Sequence, residues 1–240
     1  MIVLRDVHKS FGEKHVLRGL SLDIPAGENT VIIGYSGTGK SVLLKCIIGL
    51  LRPDRGEVLV DGAAVQEMDR EELAALRARV GYVFQSAALF DSLSVGDNIR
   101  LGLRRRGMGE EEMDQRVRES LDVVDLAGTA EKFPAELSGG MRKRVGVARA
   151  IALRPSYLLY DEPTTGLDPV TSAVMNALMV RTRDLGVTGV IVTHDMRSAF
   201  TAGNRIAMLY EGTVRQVATP DRIRETDDQV VRQFIEGRAE

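Results

Sequence analysis

A glycine-rich segment near the amino terminus restricts the fold more than any other part of this 240-residue chain. Residues 34–41 read GYSGTGKS and lie between the apolar runs TVII and VLLKCIIGLL. This order of strand, loop and helix is the context that the pattern G-x-x-x-x-G-K-[ST] requires. Glycines let the backbone wrap around an anion, and the following helix directs its first N–H groups at it. The segment therefore predicts a phosphate-binding loop within an α/β fold.

The loop residues have separate expected roles around a nucleotide. Lys40 would place a full positive charge near the β- and γ-phosphates, and the Ser41 hydroxyl would bind Mg²⁺. The large side chain of Tyr35 has no role that the sequence explains. The residues of this segment expected to contact the nucleotide are Gly34, Tyr35, Ser36, Gly37, Thr38, Gly39, Lys40, Ser41 and Val42. On its own, this loop indicates a P-loop NTPase and no narrower class.

Two adjacent carboxylates follow the apolar run YLLY in the second half of the chain. A strand next to that of the phosphate-binding loop would bring both carboxylates to the phosphates. Asp161 is then expected to complete the Mg²⁺ shell through water, and Glu162 to accept a proton from the attacking water. A solvated turn is the alternative interpretation, and the continuation PTTGLDP makes it the weaker one.

Short apolar runs separated by helical patterns predict a buried parallel sheet. The runs expected to form its strands are residues 30–33, 80–84, 157–160, 190–193 and 206–209. Nearer the amino terminus, residues 20–24 alternate between apolar and polar side chains, as in a half-buried strand. Together with residues 2–7 and 57–60, they predict a small antiparallel sheet.

A second pair of glycines follows a good helix-capping residue. Ser138 is a favourable N-cap, and Gly139 and Gly140 expose backbone N–H groups at the start of a helix, which can bind an anion. The apolar stripe of this helix consists of Met141, Val145, Ala148 and Ala152, and the basic residues Arg142, Lys143, Arg144 and Arg149 lie largely elsewhere on the helical wheel. Because Lys40 already serves the γ-phosphate, we expect this second loop to serve the nucleotide of another copy of the chain.

Composition limits the possible partners and location. Lysine and arginine total 32 and aspartate and glutamate total 34, so no charge excess favours nucleic acid as a partner. The single cysteine, Cys46, cannot form an internal disulfide. No window is long and apolar enough for a membrane span or a signal peptide. We expect a cytoplasmic protein that reaches a membrane only through a partner.

These motifs, in this order, resemble the ATP-binding subunits of ABC transporters over essentially the whole chain. The sequence LSGGM at residues 137–141 lies between the phosphate-binding loop and the Asp161 strand, as in that family. The resemblance implies a P-loop NTPase with a RecA-like core, a small antiparallel β-subdomain and an inserted α-helical signature subdomain. The expected single domain, residues 1–240, divides into 1–85 and 156–220 (the core with its β-subdomain), 86–155 (the helical subdomain) and 221–240 (a C-terminal tail).

The resemblance also implies roles for residues that no local pattern identifies. Phe11 is similar to the aromatic that stacks on adenine, although it could instead cap the small sheet. Gln85 is similar to the glutamine that reaches Mg²⁺, takes part in catalysis and senses the membrane partner, although it could be a surface residue. Asp168 would lie in the loop that crosses the dimer interface, and His194 would steady the γ-phosphate. The implied catalytic residues are Lys40, Gln85, Glu162 and His194. Ser41, Gln85 and Asp161 would bind the metal, and residues 138–140 would bind the partner's ATP.

In the implied assembly, two copies pair head to tail around two ATP molecules with Mg²⁺ and drive an integral membrane permease. The complex would place this chain at the cytoplasmic face of the inner membrane as a peripheral subunit. The segments FQSAALFDSLSV, GKSVLLKCIIGLL and LSGGMRKRVGVARA resemble the Mce/Mla-type phospholipid transporter ATPases. That resemblance implies a phospholipid or another hydrophobic substrate, with lipid-binding envelope components as further partners. Leu89 and Phe90 would contact the permease, unless they belong to the core of the helical subdomain.

Two other functions are compatible with the motifs. One is the ATPase of an importer for amino acids or another polar solute. The other is an ABC-type ATPase that acts on ribosomes or DNA without a permease. Members of that class usually carry two cassettes or a long coiled coil, and this sequence has one cassette and no sustained heptad pattern. The C-terminal tail could form a regulatory or dimer contact, or simply end in a helix.

Overall fold

The computed structural model describes residues 1–238, so Ala239 and Glu240 of the predicted tail lie outside the described residues. Strands and helices alternate along most of this part of the chain, as the apolar runs predict. The strands are β1 (Ile2–Phe11), β2 (Lys14–Ile24), β3 (Asn29–Ile33), β4 (Arg55–Val60), β5 (Ala63–Ala64), β6 (Val80–Val83), β7 (Tyr157–Asp161), β8 (Thr188–Val192), β9 (Arg205–Tyr210) and β10 (Thr213–Ala218).

Most of the helices follow strands and cover the sheets. They are α1 (Lys40–Ile47), α2 (Arg70–Ala78), α3 (Val95–Arg104), α4 (Glu110–Val123), α5 (Gly139–Ile151), α6 (Pro169–Asp184), α7 (Met196–Ala202), α8 (Pro220–Arg224) and α9 (Gln229–Ile235). Two short 3₁₀ helices, Val65–Glu67 and Pro134–Glu136, precede α2 and α5. No helix within residues 1–238 combines the length and the apolar character that crossing a membrane requires.

The larger sheet has the strand order β10-β9-β3-β8-β7-β6. The expected strands β3, β6, β7, β8 and β9 run parallel, which confirms the predicted parallel sheet. Both faces are buried: Val31 and Ile33 of β3 pack into one apolar cluster, and Ile32 packs into the other. Successive side chains of a strand point to opposite faces, so these strands must be apolar along their whole length. The antiparallel edge strand β10 was not predicted.

The expectation that the Asp161 strand would adjoin the strand of the phosphate-binding loop is wrong. Strand β8 lies between β3 and β7 and pairs with both. The carboxyl ends of all three strands nevertheless lie at the same edge of the sheet. Ser41, at the start of α1, reaches across this edge and donates a hydrogen bond from Oγ to Asp161 Oδ1 over 2.8 Å.

The smaller sheet, β2-β1-β4-β5, is antiparallel, as predicted. Its strands β1 and β2 extend well beyond the segments that alternate in the sequence. Leu4 and Leu20 on its buried face share one apolar cluster with Leu43 and Leu44 of α1. The small sheet therefore packs against the helix that follows the phosphate-binding loop.

Helices α3, α4 and α5 lie between β6 and β7 in the sequence and pack together around Ile99, Val117 and Val145. The helical wheel puts Lys143 away from the apolar stripe of α5, yet its side chain is buried and only 9% exposed. The loop after β7 covers this side of the helix as well, and it accepts hydrogen bonds from the lysine. The division into residues 1–85, 86–155, 156–220 and 221–240 stays a prediction.

The last described helix contacts the phosphate-binding loop. The ring of Phe234 in α9 meets the ring of Tyr35 edge to face, with 4.9 Å between the ring centroids. Tyr210 at the end of β9 approaches Tyr35 from another direction, at 6.4 Å. Tyr35, which the sequence leaves without a role, thus attaches the tail of the chain to the loop.

Replacing Phe234 with alanine should loosen both partners of this contact. An aromatic pair of this geometry stabilises a protein by roughly 0.5–1.5 kcal/mol beyond the area that it buries. For Phe234→Ala we expect about 2- to 10-fold faster amide exchange in residues 34–39 and 229–238, measured by hydrogen-exchange mass spectrometry. Phe133→Ala, at an exposed phenylalanine outside this contact, is the control and should change neither segment. Unchanged exchange in Phe234→Ala would contradict the attachment.

Candidate active site

Five of the residues predicted for catalysis and metal binding meet at the carboxyl edge of the larger sheet. Lys40 and Ser41 open α1 after the loop that follows β3. Asp161 ends β7, Glu162 comes next, and His194 follows β8, which lies between β3 and β7. Parallel α/β sheets commonly bind ligands at this edge. Contacts of 2.8–3.8 Å link Ser41 to Asp161, Lys40 to Glu162 and His194 to Glu162.

The phosphate-binding loop is held open for an anion by its backbone. Gly39 is the N-cap of α1 and has a φ of 103°, a conformation that favours glycine. A Cβ at this position would also lie 2.8 Å from Val16 Cγ1 of β2, so no larger residue fits. Because α1 begins at Lys40, its first N–H groups face the loop.

Lys40 crosses the loop that precedes it. Its Nζ donates hydrogen bonds to the carbonyl oxygens of Gly34, over 2.8 Å, and Tyr35, over 3.1 Å. Burial lowers the pKa of Lys40, while the nearby carboxylates of Glu162 and Asp161 oppose that shift. A phosphate bound in the loop would add negative charge beside the ammonium group and favour its charged form. The position of Lys40 therefore suits a polyanionic ligand.

Asp161 is fixed by two hydroxyl groups. Ser41 Oγ donates to one carboxylate oxygen and Tyr82 Oη to the other, each over 2.8 Å. Burial and the bond to Asp161 raise the pKa of Tyr82, so the phenol stays a donor. Tyr82 was missed by the sequence analysis. The available signal was one tyrosine in the otherwise apolar strand VGYV, which pairs with the strand that ends at Asp161.

The oxygen atoms of Ser41 and Asp161 fit a magnesium ion. Mg²⁺ usually takes one or two protein oxygens and completes its shell with water and phosphate oxygens. Within residues 1–238, no group of three or more His, Cys, Asp and Glu side chains is placed to hold a metal ion. Magnesium at this edge would therefore depend on the phosphates of a bound nucleotide for much of its coordination.

The Glu162 carboxylate is the centre of the site. One oxygen, Oε2, lies 2.9 Å from His194 Nδ1 and accepts a hydrogen bond from Thr165 Oγ1 over 3.2 Å. The other oxygen, Oε1, lies 3.8 Å from Lys40 Nζ. The backbone of Glu162 has a φ of 51°, an unusual conformation for a residue with a side chain and one often found at functional sites. The contact with Thr165 was not predicted.

Gln85 and Phe11 lie outside this cluster. The Gln85 side chain is exposed just beyond β6, and it has no hydrogen bond to any residue of the described part of the chain. Phe11 is 48% exposed at the end of β1, with Lys9 Nζ 5.7 Å from the ring centroid. Its ring is therefore accessible, as a surface that stacks on a base would have to be. The implied roles of both residues stay predictions.

The second glycine loop stands apart from the cluster. Ser138 Oγ accepts a hydrogen bond from the Met141 N–H over 3.2 Å, which confirms the predicted N-cap of α5. Ser138 and Gly139 are exposed, and within residues 1–238 no hydrogen bond joins residues 138–140 to Lys40, Glu162 or His194. The loop of residues 34–41 thus lies beside the Glu162 carboxylate, and residues 138–140 lie apart from it.

Asp168 is bound to its own helix. Its carboxylate caps α6 and accepts hydrogen bonds from the N–H groups of Val170, over 2.9 Å, and Thr171, over 3.0 Å. The Thr171 hydroxyl adds a third bond of 2.5 Å, and these bonds lower the pKa of Asp168. The structure therefore gives Asp168 a capping role, and its implied place on a nucleotide stays a prediction.

The cluster is largely buried except for His194, which is exposed and lines a cavity of about 300 Å³ together with Thr165 and Asp195. A larger cavity, of about 740 Å³, lies at the amino ends of the same strands and is lined by Tyr157, Thr188 and Arg154 among others. None of the five clustered residues lines it. The larger cavity is therefore not part of the candidate site.

Comparisons with known proteins agree with this geometry. The sequence model of the family described as "ABC transporter" matches residues 17–165. The probable ribonucleotide transport ATP-binding protein mkl of Mycobacterium leprae is 43% identical over 239 residues, which are 99% of this chain and 69% of that protein. The chloroplastic protein TRIGALACTOSYLDIACYLGLYCEROL 3 of Arabidopsis thaliana is 42% identical over 99% of this chain and 74% of its own length. The methionine import ATP-binding protein MetN of Rhizobium etli is 41% identical over 89% of this chain and 60% of its own length.

Solved structures extend the agreement to the fold. The dimeric ATP-binding cassette MJ0796, in a post-hydrolysis state with ADP and Pi, is 35% identical with a TM-score of 0.83, covering 92% of this chain and 99% of that one. CbiO1 from Clostridium perfringens, part of an ABC transporter complex, is 29% identical with a TM-score of 0.86. The match covers 97% of this chain and 96% of that one. These matches confirm the predicted α/β fold of a P-loop NTPase. The chain therefore belongs to the ABC transporter family, as an ATP-binding cassette that hydrolyses ATP.

Proposed function

We propose that this cassette works as a head-to-tail pair and powers a separate membrane permease that moves phospholipids or other hydrophobic molecules. The observation that carries the proposal is the separation of two phosphate-binding loops in one chain. Lys40 lies beside Glu162, whereas residues 138–140, of which Ser138 and Gly139 are exposed, have no hydrogen bond to either residue within the described part of the chain. Two copies related by a twofold axis would supply each ATP with both loops.

Hydrolysis by this site would depend mainly on position and charge. Glu162 accepts the proton of the attacking water, since its carboxylate lies 3.8 Å from the Lys40 ammonium group that would contact the phosphates. His194 and Thr165 hold Oε2 and so fix the direction of the carboxylate. Mg²⁺ bound at Ser41 and Asp161 would neutralise charge on the phosphate oxygens. Phe11, with its exposed ring, stacks on the adenine.

The paired arrangement is supported by a relative. The cassette MJ0796, 35% identical, was solved as a dimer with ADP and Pi. In such a pair, the exposed helix start at Ser138 of one copy would face the phosphate-binding loop of the other. The γ-phosphate would then hold the two copies together, and its release would let them separate.

The permease contact is best assigned to the loop after β6. Ala87 and Ala88 both have positive φ, and the Arg149 guanidinium of α5 donates to their carbonyl oxygens over 2.8 and 2.6 Å. Phe90 in the same loop is 58% exposed, whereas Leu89 packs against the core. Of the two residues expected to contact the permease, only Phe90 presents an apolar surface. Gln85, at the start of this loop, would relay the contact to the magnesium edge.

The substrate class rests on relatives. Residues 84–95 and the two phosphate-binding segments resemble Mce/Mla-type ATPases, and the Arabidopsis relative is named after a galactolipid. These similarities favour a lipid, with envelope lipid-binding proteins as further partners and the cytoplasmic face of the inner membrane as the location. The names of other relatives refer to a ribonucleotide and to methionine. A polar-solute importer is therefore the second candidate, and an ATPase that acts on ribosomes or DNA is the third.

Removing the base should stop turnover and leave ATP binding intact. In Glu162→Gln, we expect hydrolysis to fall by about 10²- to 10⁴-fold, because a glutamine cannot accept the proton of water. When ATP is present, the variant should then accumulate as a closed dimer, which light scattering after size-exclusion chromatography would detect. Glu131→Gln, at an exposed carboxylate outside the site, is the control. Near-normal turnover in Glu162→Gln would refute the assignment of the base.

Mixed dimers test whether each site is shared by two chains. A Lys40→Ala chain paired with a Ser138→Arg chain keeps one site with both loops intact, so it should retain measurable hydrolysis. A chain that carries both substitutions, paired with a wild-type chain, has one defective loop in each site and should lose nearly all hydrolysis. Phosphate release from dimers purified through two different tags provides the measurement. Equal activity of the two arrangements would contradict the head-to-tail pair.

Purification from native membranes tests the partner and the substrate together. The wild-type chain should retain a multi-span membrane protein and phospholipid, identified by mass spectrometry. Phe90→Asp should lose the membrane protein, because a charge replaces an exposed apolar contact. Leu185→Asp, at an exposed apolar residue beside the amino ends of the strands, should retain it. A solute-binding protein without phospholipid would favour the polar importer, and ribosomes or nucleic acid would contradict both transport functions.

A further inference from the structure

Lys143 is a buried cation that the proposed mechanism does not use. It lies in α5, five residues after Ser138, and its side chain is 9% exposed. Its Nζ donates hydrogen bonds to the carbonyl oxygens of Pro163, over 3.0 Å, and Thr165, over 2.6 Å. Burial lowers the pKa of Lys143, and the charge of Glu162 opposes that shift. A buried lysine is unfavourable unless its donors are satisfied, so this contact is a specific link between α5 and the segment after Glu162.

The acceptors of Lys143 belong to the segment that holds the Glu162 carboxylate. Pro163 follows Glu162 directly in the chain. Thr165 accepts from Lys143 through its carbonyl oxygen, and it donates to Glu162 Oε2 through its hydroxyl over 3.2 Å. The Thr165 N–H also donates to the Glu162 carbonyl oxygen over 3.3 Å. Since Glu162 has a positive φ, its unusual backbone depends on such contacts from the surrounding structure.

A second contact ties the start of α5 to the start of α6. Gly140 is buried against Thr171, and a Cβ on Gly140 would lie 2.2 Å from Thr171 Cγ2. Thr171 in turn donates to Asp168 through its hydroxyl. Lys143 and Gly140 thus hold residues 162–171 at both ends. A displacement of α5 must move this segment with it, because closely packed contacts leave no free volume to absorb the change.

We propose that Lys143 is a positioning residue that couples the two ATP sites of the dimer. Through α5 it is joined to residues 138–140, which serve the partner's ATP. Through Pro163 and Thr165 it is joined to Glu162, which acts on the chain's own ATP. Engagement of the partner's nucleotide therefore sets the position of the catalytic carboxylate in the other site. This inference rests on the head-to-tail pair of the proposed function.

Two substitutions at Lys143 separate positioning from folding. Lys143→Met fills the same space without donors, and we expect kcat to fall roughly 10- to 100-fold with KM for ATP changed by less than about twofold. Lys143→Gln can still donate to one carbonyl oxygen and should restore most of the lost kcat. Lys132→Met, at an exposed lysine, is the control. Normal kcat in Lys143→Met, or an equal loss of kcat in Lys143→Gln, would overturn the proposal.

Mixed dimers show through which site Lys143 acts. When one chain carries Glu162→Gln, both sites still bind ATP and only the other chain has a working base. Lys143→Met in that working chain should slow single-turnover hydrolysis as much as in the symmetric dimer. Lys143→Met in the Glu162→Gln chain, whose Ser138 completes the working site, should leave the rate of the parent mixed dimer within about twofold. The reverse pattern, or equal losses in both arrangements, would overturn the proposal.

Failure of the dimer can be recognised separately. If Glu162→Gln formed no ATP-dependent dimer and the Lys40→Ala and Ser138→Arg chains did not complement each other, the proposed function would fail, and the coupling of sites with it. If both of those tests succeeded and Lys143→Met kept a normal kcat, only the role of Lys143 would be lost.

Discussion

The interactions around the Glu162 carboxylate are the constraint on which the site depends. His194 and Thr165 hold one of its oxygens, Lys40 faces the other, and the backbone has a positive φ. Each partner comes from a different part of the sequence, so the carboxylate takes its position only after three strand ends and α5 have packed together. The geometry of the site therefore depends directly on the packing of the sheet. A change that shifts β8 or α5 alters the direction of the base even where it leaves every catalytic residue in place.

Two lysines at this edge, Lys40 and Lys143, have similar electrostatic surroundings but contact different parts of the structure. Burial lowers the pKa of both Lys40 and Lys143, and the charge of Glu162 opposes the shift in both. Lys40 is bound to carbonyl oxygens of the phosphate-binding loop itself, so a polyanion bound in that loop could take over its hydrogen bonds. Lys143 is bound to carbonyl oxygens within a packed junction, where no ligand could replace them. In the proposed function, the same type of side chain would thus bind substrate at one place and fix the backbone at the other.

The sequence predicted the parts of the site that local patterns encode. The loop of residues 34–41, the N-cap at Ser138 and the parallel strands all depend on neighbours in the chain, and the structure contains each of them. The strand order and the contacts made by Tyr82, Tyr35 and Lys143 could not be predicted. They join segments that lie far apart in the sequence, such as Tyr82 with Asp161 and Tyr35 with Phe234. A helical wheel describes one helix alone, so it could not show that the loop after β7 would cover Lys143.

Helix α5 connects the three surfaces that the proposed function requires. Ser138 caps the first turn of this helix, and Lys143 near its middle holds the segment after Glu162. Arg149 near its end holds the backbone of Ala87 and Ala88. These three contacts fall within one helix of 13 residues, about 20 Å long. A helix transmits displacement along its length with little bending, so a permease that moved the loop after β6 would move the nucleotide contacts with it. The reverse also holds by linkage: if ATP binding shifts α5, it must change the affinity of the same loop for its membrane partner. In the proposed function, α5 and the carbonyl groups that it holds would thus couple transport to hydrolysis together with Gln85.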